Sequence, residues 1–170
     1  MTRPNATETA PYYFRYIDLV PDGDVVGALE QQLDKTYSFL QSIDEEKSLH
    51  SYAQGKWTLR QLLNHVNDTE RVFLYRALWF ARGFPEPLPS FDQDVGVAGG
   101  EANNVSWTDL VEEFRNVRLA TISFFKNLSA DAWSRTGTAS DNPFTVRALA
   151  YIIAGHAEHH QGIIQERYLN

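Results

Sequence analysis

The sequence of 170 residues contains no cysteine. This absence excludes disulfide bonds, thiolate metal ligands and cysteine nucleophiles. Any metal ion must therefore be bound by histidine, aspartate or glutamate. Such a donor set suits Zn, Ni, Co, Mn or Fe(II) better than Cu(I) or an iron–sulfur cluster.

The chain also lacks long apolar runs and an excess of basic residues. No apolar stretch approaches the roughly 20 residues that a membrane-spanning helix needs. The 15 Lys and Arg residues are outnumbered by 22 Asp and Glu residues, which gives a formal net charge of −7. We therefore expect neither a membrane nor a nucleic acid as a partner. Residues 1–10 are polar and contain no apolar signal core, so we expect a cytoplasmic protein.

Four segments show helical periodicity and are separated by stretches rich in Gly, Pro and Asn. They comprise residues 24–43, 58–82, 106–127 and 145–168. The second begins at Thr58, whose side chain can form a capping box with Gln61. The linker of residues 84–105 is long enough to cross a bundle and join two parallel helices. The sequence predicts an all-α fold, a single four-helix bundle domain over residues 1–170 with an up-down-down-up course.

Three of the five histidines can converge between these helices. His156 and His160 are four residues apart and share one face of the last predicted helix, where two imidazoles can chelate one transition metal. His65 lies seven residues after the cap of its own helix, and the other two lie 11 and 15 residues after theirs. These positions differ by fours, so all three side chains point in nearly the same direction relative to their caps. The spacing alone leaves two interpretations open, a metal site and three structural histidines.

The neighbours of the three histidines suggest supporting roles. Asp68 and Thr69 follow His65 by three and four residues and are candidates for a weak extra ligand or for positioning the imidazole. His159 lies on the flank of the last helix, and we expect it at the rim of the site. Three histidine ligands leave coordination positions open for water or substrate, which is typical of catalytic rather than structural sites.

Two motifs in this chain resemble those of the DinB-like (DinB/YfiT) superfamily. The first is the segment of residues 55–65 followed by Asp68 and Glu70, and the second runs from Val146 to His160. The resemblance implies a four-helix bundle in which His65, His156 and His160 bind a divalent metal, with Zn or Ni expected and Fe, Co or Mn as further possibilities. It also implies a homodimer. Some members are bacillithiol or mycothiol S-transferases, and others are mycothiol-dependent maleylpyruvate isomerases.

Four functional hypotheses follow. The first is a metal-dependent enzyme that transfers a low-molecular-weight thiol to an electrophilic small molecule, with Asp92 and Asp94 of the crossover linker in contact with the substrate. The second is hydrolysis by metal-activated water, for which no glutamate stands beside His156 as in an HExxH motif. The third is a non-catalytic, stress-related metal-binding protein. In the fourth the histidines are only structural.

Overall fold

Four long helices form most of the molecule in a computed structural model that describes residues 2–169. Numbered with two shorter helices in chain order, they are α2 (Val25–Gln41), α3 (Leu59–Ala81), α5 (Trp107–Lys126) and α6 (Val146–Ile163). Their buried faces share one hydrophobic core. The prediction of a mostly helical protein is confirmed, although the last predicted segment ends in a π-helical turn, Ile164–Tyr168. None of the helices within the described residues is long and apolar enough to cross a membrane.

The prediction of an all-α fold is wrong in one respect, because the chain contains a small antiparallel hairpin. Strand β1 (Thr136–Ala139) pairs with β2 (Asn142–Thr145). The turn between them has positive φ angles at Ser140 (51°) and Asp141 (59°), as the tight turn of a two-residue hairpin requires. The hairpin leads directly into α6 and therefore fixes where that helix begins.

The crossover linker and the N-terminal segment also contain short helices. Helix α1 (Phe14–Ile17) precedes the bundle, and helix α4 (Gln93–Gly100) lies in the crossover. A Cβ added to Gly155 of α6 would lie 2.0 Å from the backbone oxygen of Tyr16, so α1 packs directly on the α6 backbone. Likewise a Cβ on Gly100 would lie 2.8 Å from the Asn64 amide, so α4 packs closely on α3. Both short helices are thus held against the histidine-bearing helices.

Side-chain caps start the long helices where the sequence predicts. The capping box at α3 is confirmed: Thr58 Oγ1 accepts from Gln61 N at 3.2 Å, and Thr58 N donates to Gln61 Oε1 at 3.0 Å. Thr145 Oγ1 accepts from Ala148 N at 3.0 Å and starts α6. Because a cap sets the first helical residue, it also sets the direction in which each histidine points.

Buried polar contacts join the four long helices and fix their positions along one another. Arg118 of α5 donates from Nε and Nη2 to the two carboxylate oxygens of Glu70 on α3, both at 2.8 Å, and its Nη1 also contacts Gln32 of α2. Gln32 Nε2 in turn donates to Ala154 O of α6 at 2.9 Å. This network joins all four long helices and fixes α3 against α6, where the histidines lie.

Candidate metal centre

The structure brings the three predicted histidines together between α3 and α6. His65 Nε2 lies 3.2 Å from His156 Nε2, which lies 3.1 Å from His160 Nε2. Each histidine offers a ring nitrogen within 4.8 Å of the other two, and no further His, Cys, Asp or Glu among residues 2–169 joins this group. Hereafter these three residues are called the histidine triad.

The donor atoms of the triad fit a divalent transition metal. An ion bound by imidazoles at roughly 2.1 Å holds their nitrogens about 3.0 Å apart in octahedral and about 3.4 Å apart in tetrahedral geometry. The two Nε2–Nε2 distances of 3.1 and 3.2 Å lie in this interval. His65 Nδ1 lies 3.3 Å from Thr69 Oγ1. In the tautomer in which Nδ1–H donates to this oxygen, the Nε2 lone pair is free for a metal. His160 Nδ1 is buried without a hydrogen-bond partner.

Burial keeps the triad in the neutral form that binds metals. It lowers the pKa of His65 from 6.5 to about 4, with a small opposing effect from the charge of Asp94. It also lowers the pKa of His160 to about 3, and the other histidines add to this effect. The pKa of His156 falls well below 6.5 for the same reasons, burial being the larger. All three imidazoles are therefore unprotonated at neutral pH, so a metal has no proton to displace.

Aromatic rings enclose the triad. The indole of Trp57, the residue before the α3 cap, lies 5.1 Å from the His65 ring. The phenol of Tyr16 on α1 lies 5.3 Å from the ring of His156 and 5.4 Å from that of His159. These rings contribute to the burial that lowers the pKa values of His65 and His156.

The residues predicted to support the triad occupy different environments. Thr69 contacts His65, whereas Asp68 accepts from Asn64 Nδ2 at 2.8 Å and pairs with Arg71 at 3.3 Å. Asp68 thus takes part in a polar cluster beside the triad and not in the triad itself. His159 lies at the rim, with its ring 5.1 Å from that of His160.

The two predicted substrate-binding aspartates also differ. Asp92 caps α4 by accepting from Asp94 N at 2.9 Å and Val95 N at 3.2 Å, which makes it a local structural residue. Asp94 is exposed, lines a cavity together with His160, and affects the pKa of His65. Of the two predicted aspartates, Asp94 is therefore the one that shares a cavity with a histidine of the triad.

Two cavities reach the triad, each at different histidines. Cavity A, about 200 Å³, is lined by His65 and His156 and by residues of α1, α3, the crossover and the hairpin. Cavity B, about 340 Å³, is lined by His160, Asp94 and Lys56 and by three aromatic residues, two from the segment before α3 and one near the end of the chain. Neighbouring residues of α4 reach both, since Gln93 lines cavity A and Asp94 lines cavity B.

One functional candidate was missed by the sequence reasoning. Arg76 of α3 is buried and lines cavity A together with His65. The two residues are 11 apart, which is three helical turns with a difference in direction of only about 20°. A charged residue on the face that carries His65 and the buried Phe73 was the available signal.

Comparison with known proteins identifies the class of this fold and site. Residues 28–164 match the family model of the DinB superfamily, and the chain belongs to that family, as its two motifs predict. A protein of Oceanobacillus iheyensis named as a candidate metal-dependent hydrolase is 24% identical over 135 residues, which are 78% of this chain and 76% of that protein.

Solved structures show the same fold. YfiT from Bacillus subtilis, described as a probable metal-dependent hydrolase with an unusual four-helix bundle topology, matches with a TM-score of 0.73 at 14% identity over 96% of this chain and 89% of its own. The mycothiol-dependent maleylpyruvate isomerase matches with a TM-score of 0.68 at 15% identity over 81% of this chain and only 58% of its own. The DinB-like protein YjoA of Bacillus subtilis matches with a TM-score of 0.61 at 16% identity, over 86% of this chain and 91% of its own.

Proposed function

We propose that this protein is a divalent-metal-dependent enzyme that transfers a low-molecular-weight thiol to an electrophilic small molecule. His65, His156 and His160 would hold the ion, with Zn or Ni the expected metal and Fe, Co or Mn the alternatives. The close approach of three neutral imidazoles supports this role, because their Nε2 atoms lie 3.1 and 3.2 Å apart and contact one another. A divalent ion, when bound, supplies Lewis acidity that favours the thiolate form of a thiol.

The proposal of thiol transfer rests on one observation: two cavities reach the same histidine triad. A transfer reaction needs room for two organic reactants on either side of the reacting atoms, whereas hydrolysis needs only one besides water. Cavity A reaches the triad at His65 and His156, and cavity B reaches it at His160. This arrangement suits an electrophile in one cavity and a thiol in the other.

The reaction balances without a redox partner. The thiol loses its proton to solvent, and its sulfur electron pair forms the bond to the electrophilic carbon. That carbon either expels a leaving group with its electron pair or, at an activated double bond, passes the pair to a neighbouring carbon that takes up a proton. Asp94, the carboxylate that lines cavity B, is placed to accept the thiol proton on its way to solvent.

Metal-dependent hydrolysis is the second candidate. The exposed carboxylate of Asp94 favours it, because this group can accept a proton from water. The sequence offers no glutamate beside His156 for that role. The names of the Oceanobacillus protein and of YfiT point the same way. A third possibility, non-catalytic metal binding, is an outcome of the tests below.

Metal content is the first test. Protein produced without a histidine tag should contain close to one equivalent of metal by inductively coupled plasma mass spectrometry. His65→Ala and His160→Ala should lose it. His50→Ala is the matched control, because His50 is exposed and lies outside the triad. Wild type that contains no metal and takes up neither Zn nor Ni would contradict the metal site.

Activity is tested next with metal-loaded protein. Thiol consumption should be measured against a panel of electrophiles with bacillithiol, mycothiol and glutathione as donors, and ester and amide hydrolysis should be measured in parallel. Thiol transfer that is lost in folded His160→Ala and kept in His50→Ala would support the first candidate. Hydrolysis without a thiol requirement would establish the second, and metal binding with neither activity would establish the non-catalytic role.

We also propose the up-down-down-up course for α2, α3, α5 and α6. Contacts advance in the same direction along α3 and α5, from Arg60 with Val105, two residues before α5, to Glu70 with Arg118, which supports a parallel pair. Trp107 at the start of α5 donates to Leu40 O near the end of α2, which supports an antiparallel pair. The long crossover through α4 is what a parallel α3–α5 pair needs.

A further inference from the structure

Arg76 differs from the other buried arginines in having no acidic partner. Three arginines within residues 2–169 are buried, namely Arg60, Arg76 and Arg118. Arg60 pairs with Glu45, and Arg118 pairs with Glu70. No aspartate or glutamate of the described chain lies within 4.0 Å of the Arg76 guanidinium, although the residue is only 4% exposed.

The contacts of Arg76 position its charge without neutralising it. Its Nη2 donates to Ser140 Oγ at 2.9 Å and to Pro89 O at 3.2 Å, so the hairpin and the crossover hold the side chain. The guanidinium carbon also lies 5.6 Å from the centre of the Phe73 ring. Burial lowers the pKa of Arg76, with small opposing effects from Tyr13. A buried charge with only neutral partners is costly, and an anion beside it would remove that cost.

Cavity A offers an anion no competing negative charge. Arg76 lines it together with His65 and His156, and no aspartate or glutamate is among its lining residues. The α3 rise separates the Cα atoms of His65 and Arg76 by about 16 Å, and the arginine side chain leans back toward the start of the helix. A small molecule in cavity A can therefore touch the guanidinium at one end and face the triad at the other.

We propose that Arg76 binds the carboxylate of the electrophilic substrate, which is accordingly a small monocarboxylic acid whose reacting carbon faces the histidine triad. The part of this inference that places the reacting carbon at the triad rests on the proposed function. One guanidinium neutralises one carboxylate, whereas a doubly charged phosphate would leave an uncompensated charge in the cavity. The planar guanidinium also matches a carboxylate with two parallel hydrogen bonds.

The test uses ligand binding to chelator-treated protein, so that it does not depend on a metal or on turnover. Benzoate and its neutral analogue benzamide should be titrated and followed by NMR chemical-shift changes. We expect benzoate to bind about tenfold to 100-fold more tightly than benzamide, because a hydrogen-bonded ion pair replaces a neutral contact. Equal affinities in wild type would overturn the proposal without the need for any variant.

Three variants locate the effect. Arg76→Gln should remove the preference for benzoate, and Arg76→Lys should keep a reduced one. Arg82→Gln removes the same charge from an exposed residue just beyond the end of α3, and it should behave as wild type.

Far-UV circular dichroism checks that each variant is folded. An unchanged benzoate preference in folded Arg76→Gln would contradict the assignment, and inorganic phosphate binding more tightly than benzoate would overturn the carboxylate class. If the metal-content test shows that wild type binds no metal, but the benzoate preference still depends on Arg76, the anion site would be upheld and the proposed function refuted.

Discussion

Acidification should destabilise the metal-free protein through the same burial that prepares the triad for a metal. The pKa of His65 is lowered to about 4 and that of His160 to about 3, against 6.5 for an ordinary histidine. Below pH 6.5 the unfolded chain therefore binds protons that the folded chain does not. Stability is fully present above pH 6.5, falls as the pH drops toward the folded pKa values, and changes little through these groups below about pH 3.

The size of the effect follows from the lowered pKa values of His65 and His160. Between about pH 7.5 and about pH 5 the unfolded state gains about 2 kcal/mol from protonating each of His65 and His160, while both stay almost unprotonated in the folded state. The two together should cost about 4 kcal/mol, a large part of the 5–15 kcal/mol typical of a domain. His156 acts in the same direction.

The assay is urea unfolding of chelator-treated protein at both pH values, followed by far-UV circular dichroism. His160→Gln should lower the acid-induced loss by about 2 kcal/mol, because one of the titrating groups is gone. His50→Gln, at an exposed position, should leave the loss unchanged. Carboxylates contribute equally in all three proteins and cancel in the comparison. An acid-induced loss that is the same in His160→Gln as in wild type would refute the reasoning.

Three further predictions concern the packing that places the triad. Arg118→Met leaves Glu70 as an uncompensated buried charge, and urea unfolding should show a loss of about 3–5 kcal/mol that Glu70→Gln in the same chain partly restores. Gly155→Ala places a methyl group 2.0 Å from Tyr16 O, so thermal unfolding should report a destabilisation of about 1–3 kcal/mol or more; an unchanged melting temperature would contradict the close packing of α1. Thr58→Ala should cost about 0.5–2 kcal/mol in urea unfolding, and Thr58→Ser, which keeps the cap, should cost much less.

The long helices and the triad could be predicted because they depend on local signals. The cap at Thr58 and the apolar periodicity fix the start and the buried face of α3, and the spacing of His156 and His160 fixes their common direction. That the three histidines bind a metal stays a prediction, as do the homodimer and the cytoplasmic location.

The rest could not be predicted because tertiary contacts determine it. The hairpin has four-residue strands and a turn at Ser140 and Asp141 without the glycine that usually marks one. Helix α4 ends in two glycines and forms because its residues pack on α3, which outweighs their low helix propensity. The sequence places Arg76 on the face of α3 that carries His65, but it does not predict the contacts of Arg76 with Pro89 of the crossover and Ser140 of the hairpin.

The division of cavity A between two kinds of segment has an evolutionary consequence. The triad lies on α3 and α6, two helices whose positions the core maintains, whereas much of the cavity wall comes from α1, the crossover and the hairpin turn. Some of these cavity residues, such as Tyr12 and Phe91, are exposed, and their substitution costs little stability because few buried contacts depend on them. A lineage can therefore exchange one substrate for another by altering these segments while its histidines stay in place, so that reactivity is inherited and selectivity is acquired.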